Sequence, residues 1–233
     1  MKRDYLLLAL LLVGNITFAQ SPIERALNTI NRSSAEATIN FLASDELQGR
    51  EAGFHGSRVT SEYIVSLLQW MGVSPLADSY FQPFDAYRKE RQKKGRLEVH
   101  PDSIAKLKQE VHQKLTMRNV LGMIPGKNTK EYVIVGAHFD HLGIDPVLDG
   151  DQIYNGADDN ASGVSAVLQI ARAFLASGQQ PERNVIFAFW DRKGQVCTKY
   201  LEPSSPFSSP SQKAKITFCL LYTSDAADEA RSV

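Results

Sequence analysis

The chain reads as an α/β protein on a mixed, mostly parallel sheet, and three observations carry that reading. Residues 131–137 (EYVIVGA) form a short apolar, β-branched run bounded by polar residues, the mark of a buried strand. Residues 161–176 set Val164, Val167, Leu168, Ala171 and Leu175 at helical spacing, with Ser177 and Gly178 as a stop. Strand and helix signals alternate after residue 115, as parallel strands joined by crossovers require.

Taken in order, the elements begin with a processing signal. Lys2 and Arg3 precede an apolar run over 5–13, and Ala19 offers a small residue for cleavage before Gln20. A membrane span needs about 20 apolar residues. This run is shorter, and Gly14, Asn15 and Thr17 interrupt it. Residues 1–19 are therefore expected to be a signal peptide, with export to a periplasm or the medium and no stable membrane insertion. Residues 21–42 predict one or two helices, with Ile23, Ala26, Leu27 and Ile30 on one face. Residues 59–71 predict an amphipathic helix that buries Tyr63, Ile64, Leu67, Leu68 and Met71 and ends at Gly72; Trp70 reads as a packing residue. The polar stretch 87–113 reads as an elaborated hairpin or surface excursion, and the Ser- and Pro-rich stretch 204–211 as an exposed connection.

Charge excludes one class of partner. With 26 basic and 26 acidic side chains, nothing points to nucleic acid or an anionic membrane. The length of 233 residues allows one α/β domain or two small ones.

The chemistry lies in two motifs about twenty positions apart: His138-Phe139-Asp140 at the end of the predicted strand, and GADDNASG at 156–163 ahead of the predicted helix. Alternation along a strand sends His138 and Asp140 to one side and Phe139 to the other. Asp159 sits just before a helix N-terminus, where an anion is favoured and oriented. A His-x-Asp alone is commonly a polar turn, and Asp-Asp-Asn alone an N-cap. Together, at this spacing, they supply the imidazole nitrogen and carboxylate oxygen of a zinc site, whose catalytic form keeps a position open for water. His141 reads as a turn or packing residue; His55, His100 and His112 carry no pattern.

Several further segments carry a resemblance: FLASDELQGRE at 41–51, YFQPF at 80–84, RNVLGMIPG at 118–126 and NVIFAFWD at 184–191, with the two metal motifs between them. Over roughly residues 30–191 the chain resembles the secreted co-catalytic zinc aminopeptidases, the bacterial leucyl aminopeptidase-like metallopeptidases. Relatives of that family include glutamate carboxypeptidases and glutaminyl cyclases. The resemblance implies a three-layer α/β/α zinc exopeptidase-like fold, peptide substrates, and removal of N-terminal amino acids. It implies two zinc ions in the full-length family member, with His138 a ligand of one and Asp159 the carboxylate bridging both. Asp140 becomes the group that holds His138, fixing its tautomer and raising its basicity. Asp158 falls outside the ligand set, and the Asp159–Asn160 peptide bond is expected to be cis.

Two departures bear on activity. After Trp190 the family continues into a pair of glutamates, the first a general base and the second a metal ligand. Here residues 191–200 read DRKGQVCTKY, so the general base is not present. General-base assistance is typically worth about 10²- to 10⁴-fold. The segment 213–218 resembles the next family strand, which leads into an aspartate ligand where this chain has Cys219. From there CLLYTSDAADE resembles translated sequencing adapter more than a protein segment. The family's late histidine ligand is expected beyond Val233. The resulting organisation is a signal peptide at 1–19, a zinc peptidase domain over 20–218 that is incomplete at its C-terminus, and a non-native tail at 219–233. Cys197 and Cys219 both lie in the anomalous stretch, which gives a disulfide between them little weight. Two function classes follow: a zinc exopeptidase of which this chain is an inactive N-terminal fragment, or a non-catalytic remnant or binding module of the same fold. Glutaminyl cyclase-like acyl transfer is a further alternative within the enzyme class.

Overall fold

A computed structural model describes residues 20–89, 97–99 and 101–192, and the backbone of 215–220. Residues 1–19, where a signal peptide is expected, the residues where the glutamate pair is expected, the stretch 204–211 and the end of the chain from 221 lie outside the described residues.

Helix α1 (Pro22–Leu27) starts from a capping box in which Glu24 N–H donates to Ser21 Oγ at 3.2 Å and Ser21 N–H to Glu24 Oε2 at 2.8 Å. Helix α2 (Arg32–Leu42) starts from Asn31, whose Oδ1 accepts Ser34 N–H at 2.9 Å. A tight turn, Asp45–Arg50, leads to helix α3 (His55–Met71), closed by Gly72 at φ 85°. Strands β1 (Ser74–Pro75) and β2 (Phe81–Lys89) follow, then the short helix α4 (Pro101–Leu107) and strands β3 (His112–Ile124) and β4 (Asn128–His138). The small hairpin β5 (Gly143–Ile144) and β6 (Ile153–Tyr154) precedes a one-turn distortion at Ala157–Ala161 and helix α5 (Ser162–Ser177). Strands β7 (Arg183–Trp190) and β8 (Lys215–Leu220) complete the set.

The sheet is mixed. Its order is β1-β3-β7-β4-β8, with β2 also paired to β3. Parallel pairing is confined to β7-β4-β8, while β1, β2 and β7 run antiparallel to β3. The antiparallel share is larger among the described strands than the sequence predicts, because β2 and β3 form a long ribbon and β3 also pairs antiparallel with β7. That ribbon runs out to Lys89 opposite His112, so residues 87–113 include its end and α4.

Alternation splits the central strands between two apolar layers. Val133, Val135 and Ala137 of β4, with Val185, Phe187 and Phe189 of β7, meet Ile64 and Leu68 of α3 and Val164, Val167, Leu168 and Ala171 of α5. Ile134, Ile186, Ala188 and Trp190 face the other way, with Leu121, Leu76, Met123 and Tyr132, and no member of this second layer comes from a described helix. The helical layer is thus seen on one face of the sheet among the described residues.

Two sequence expectations fail here. Trp70 is 73 % exposed because it falls on the outer side of α3, away from Ile64 and Leu68. Ile23 and Leu27 are also exposed, because α1 docks through a polar side chain instead. Arg25 donates from Nη2 to Ser177 O at 2.6 Å and from Nε to Ala176 O at 3.4 Å, at the carboxyl end of α5. Among the described residues no helix is long and apolar enough to cross a membrane.

Candidate metal centre

Strand β4 delivers His138 at its carboxyl end, in register with Trp190 of β7, and the ladder continues one residue further through Phe139 N–H to Trp190 O at 2.9 Å. Phe139 turns into the helix-side core and is fully buried. His138 and Asp140 share the other side, at 3 % and 8 % exposure. The turn at Ala157–Ala161 brings Asp159 to the same point: it is 2 % exposed, whereas Asp158 is exposed. The Asp159–Asn160 peptide bond is cis. Gly156 allows the turn, with φ 60° and a site where a Cβ would lie 2.5 Å from Asp159 O and 2.6 Å from the His141 ring.

The three residues form one chain of contacts. His138 Nε2 lies 3.0 Å from Asp159 Oδ1, and His138 Nδ1 lies 3.2 Å from Asp140 Oδ1 and 3.1 Å from Asp140 O. Both acceptors around Nδ1 belong to Asp140, so Nδ1 carries the proton and donates, which leaves Nε2 as the atom facing Asp159. Bonds of about 2.1 Å in a tetrahedral zinc site set neighbouring ligand atoms about 3.4 Å apart. The 3.0 Å between Nε2 and Oδ1 is close to that edge, and the donor types suit zinc. The pair therefore fits a metal ion. Among the described residues no group of three or more His, Cys, Asp or Glu side chains is arranged to hold one.

Charge follows from the same contacts. Burial pushes the His138 imidazolium pKa down, but hydrogen bonding and charge from Asp140 and Asp159 outweigh it and hold the group up at about 9. Without metal, the imidazole is therefore protonated at neutral pH, with Nε2 facing Asp159 Oδ1 and Nδ1 facing Asp140. His141 has the opposite balance: burial, then the Arg50 charge, lower it to about 4, although its Nδ1 stands 3.7 Å from Asp159 Oδ2. Its ring packs edge-on to Tyr154 with centroids 6.4 Å apart, so it is a neutral packing group that also borders the site.

Two further buried groups frame the centre, and sequence reasoning assigned neither. Arg50 is 1 % exposed and donates to backbone carbonyls around the site; its position in FLASDELQGRE was the available signal. Asp191, fully buried just past β7, accepts Arg118 N–H on Oδ2 at 3.1 Å, while among the described residues Oδ1 has no hydrogen-bond partner. Burial raises its carboxyl pKa to about 7. Cys219 pairs through its backbone with Val135 in β8, so that strand runs past residue 218.

Residues 119–226 match the model for peptidase family M28, a stretch that includes β4, the Asp159 turn and β7. Over that stretch the chain is similar to peptidase family M28. The match passes through the segment after residue 218 that the sequence marks as non-native. The chain is similar to leupeptin-inactivating enzyme 1 of Streptomyces exfoliatus, at 31 % identity over 101 residues, covering 42 % of this chain and 20 % of that protein. Among solved structures it is similar to a Fimbriiglobus ruber glutaminyl cyclase, at 16 % identity and a TM-score of 0.46, covering 78 % of this chain and 50 % of the other. It is likewise similar to a zinc aminopeptidase from Bacillus subtilis, at 15 % identity and a TM-score of 0.45, covering 67 % of this chain and 60 % of the other. The chain thus spans about one fifth of the curated relative.

Proposed function

We propose that the chain belongs to a zinc-dependent exopeptidase of the aminopeptidase type, exported from the cell, and that this 233-residue polypeptide has little or no activity as it stands. The observation that carries the reading is the His138–Asp159 pair at 3.0 Å, with Asp140 holding the far nitrogen of the imidazole, inside a stretch that matches a peptidase family. Zinc, when bound, activates water and polarises the scissile carbonyl. The chain's own residues do the rest. His138 would offer Nε2 once its proton leaves, Asp140 would keep Nδ1–H in place, and Asp159 would supply carboxylate oxygen to the metal. Phe139 closes the helix side against water, since it is fully buried. What supports inactivity is the stretch 191–200, which has no glutamate where the pair that includes the general base is expected, and Cys219 where an aspartate ligand is expected.

The test compares this chain with one whose sequence after Asp191 is restored to that of its natural parent. Zinc content and hydrolysis of aminoacyl-anilides should appear together in the restored protein and be weak or absent in the original. Equal, chelator-sensitive rates in both would overturn the ligand assignment. Cyclisation of an N-terminal glutaminyl peptide without anilide hydrolysis would replace the peptidase reading with acyl transfer. Export is tested by intact mass after expression with the native N-terminus in a Gram-negative host, where cleavage before Gln20 is expected.

A further inference from the structure

The turn Asp45–Arg50 has no part in the metal chemistry proposed above, yet its guanidinium lies at the junction of the two segments that supply it. Gln48 and Arg50 adopt φ 51° and 49°, left-handed values rare for side-chain-bearing residues, and Gly49 lies between them at φ 63°. Gly49 is pressed on the β5–β6 hairpin, where a Cβ would fall 2.3 Å from Gly143 O and 2.7 Å from Tyr154 O. Arg50 O accepts His141 N–H at 3.0 Å, and Glu51 bridges to His141. This backbone drives the Arg50 side chain inward.

There it meets carbonyl oxygens. Nε donates to Phe139 O at 2.8 Å, Nη1 to Asn155 O at 2.6 Å and also to Leu42 O, and Nη2 to Gly156 O at 2.8 Å. Phe139 lies between His138 and Asp140; Asn155 and Gly156 begin the turn that carries Asp159. None of these partners is a carboxylate, so among the described residues no direct contact neutralises the buried charge. Its pKa is lowered by burial to about 10, and the charges that oppose this shift are Asp140 and Asp159. A planar fork of donors suits this task, whereas a lysine has a single ammonium head that cannot reach both segments at once.

We infer that Arg50 is a positioning residue: its guanidinium ties the end of β4 at Phe139 to the Asn155–Gly156 turn and so sets the spacing of His138 and Asp159. The inference rests on the proposed function only in taking that pair as the site. The left-handed turn is the device that delivers the guanidinium, and the charge offsets the two carboxylates that a metal or a proton would otherwise have to balance alone.

The test is amide hydrogen exchange on the full chain, comparing Arg50→Lys and Arg50→Met with the original. In both variants, peptides over 139–142 and 153–161 should exchange at least about tenfold faster, while the β7 peptide 184–190 stays within about twofold. Zinc affinity, read by competition with a chromophoric chelator, should fall at least about tenfold in Arg50→Lys. Should Arg50→Met fail to fold, the lysine variant keeps the charge and carries the test. Unchanged exchange over 139–142 and 153–161, equal acceleration in β7, or zinc affinity equal to the original would each overturn the inference. If the original chain binds no zinc, the exchange pattern alone decides the positioning role, and the proposed function falls only if the chain restored after Asp191 binds none either.

Discussion

The two sides of strands β4 and β7 are built to different purposes. On the helix side, Val135, Ala137, Val185, Phe187 and Phe189 lie against α3 and α5, and Phe139 extends the same layer beyond the end of the strand. On the opposite side, Ile134, Ile186 and Ala188 form a smaller layer, and the same alternation that produces it carries His138 and Asp140 to the strand end. One residue of offset thus separates an apolar side chain that holds the fold from a polar one that holds the site. The lesson is that the site uses the sheet for its placement but takes its spacing from Asp159 and Arg50, which the sheet does not supply.

The largest effect is expected on the helix side. Phe187→Ala, which also removes an edge-on contact with Phe174 at 6.3 Å, should cost about 3–5 kcal/mol in denaturant unfolding. Ile186→Val, one residue away on the other face, should cost only about 0.5–1.5 kcal/mol. Similar costs for the two would erase the distinction between the layers.

On the site side, stability should move less than metal binding. His138→Ala should lower zinc affinity by more than the about 10- to 100-fold expected of Asp140→Asn, because on the proposed assignment the first removes a ligand and the second only its support. The ranking is read by chelator competition, and an Asp140→Asn loss equal to that of His138→Ala would make Asp140 itself a ligand.

Proton competition sharpens the same contrast. His138 has a folded pKa of about 9 against an ordinary 6.5, so its contribution to metal-free stability is complete below about 6.5 and lost as pH rises through about 9. Zinc must displace that proton. Its affinity should therefore climb about tenfold per pH unit below pH 9 and then level off, with one proton released per ion as measured calorimetrically in two buffers. A flat profile between pH 6 and 8 would mean that the imidazole is already neutral.

A second titration concerns Asp191. Its pKa is raised to about 7 from 3.8, so the folded state binds the extra proton and this group's effect on stability worsens from about pH 4 to pH 7, then stays level. The melting temperature of Asp191→Asn relative to the original should rise over that window and stop rising above it. A pH-independent difference would show that Asp191 is ionised throughout.

Much of this was legible in the residues themselves. The β-branched run at 131–137 fixed a strand, although the sheet carries it on through His138, and the helical spacing of Val164, Val167, Leu168 and Ala171 fixed α5. Alternation told in advance that His138 and Asp140 would share a side opposite Phe139. Other features depended on long-range contacts that no local pattern encodes. Trp70 and Ile23 look like core residues by type and are exposed, because helix docking chose Ile64 and Leu68 in one case and the Arg25 side chain in the other. The antiparallel partners of β3 came from ribbon geometry rather than from strand propensity.

The sequence by itself therefore determined the chemical identity of the centre, an imidazole and a carboxylate on consecutive strand and helix elements, because period and residue type are local properties. Only the tertiary structure decided that His138 Nε2 and Asp159 Oδ1 stand 3.0 Å apart, that His138 holds its proton up to about pH 9, and that Arg50 binds both segments. Those depend on distances across the fold and on exclusion of water, and burial and Coulomb interaction exist only once the chain has closed around them.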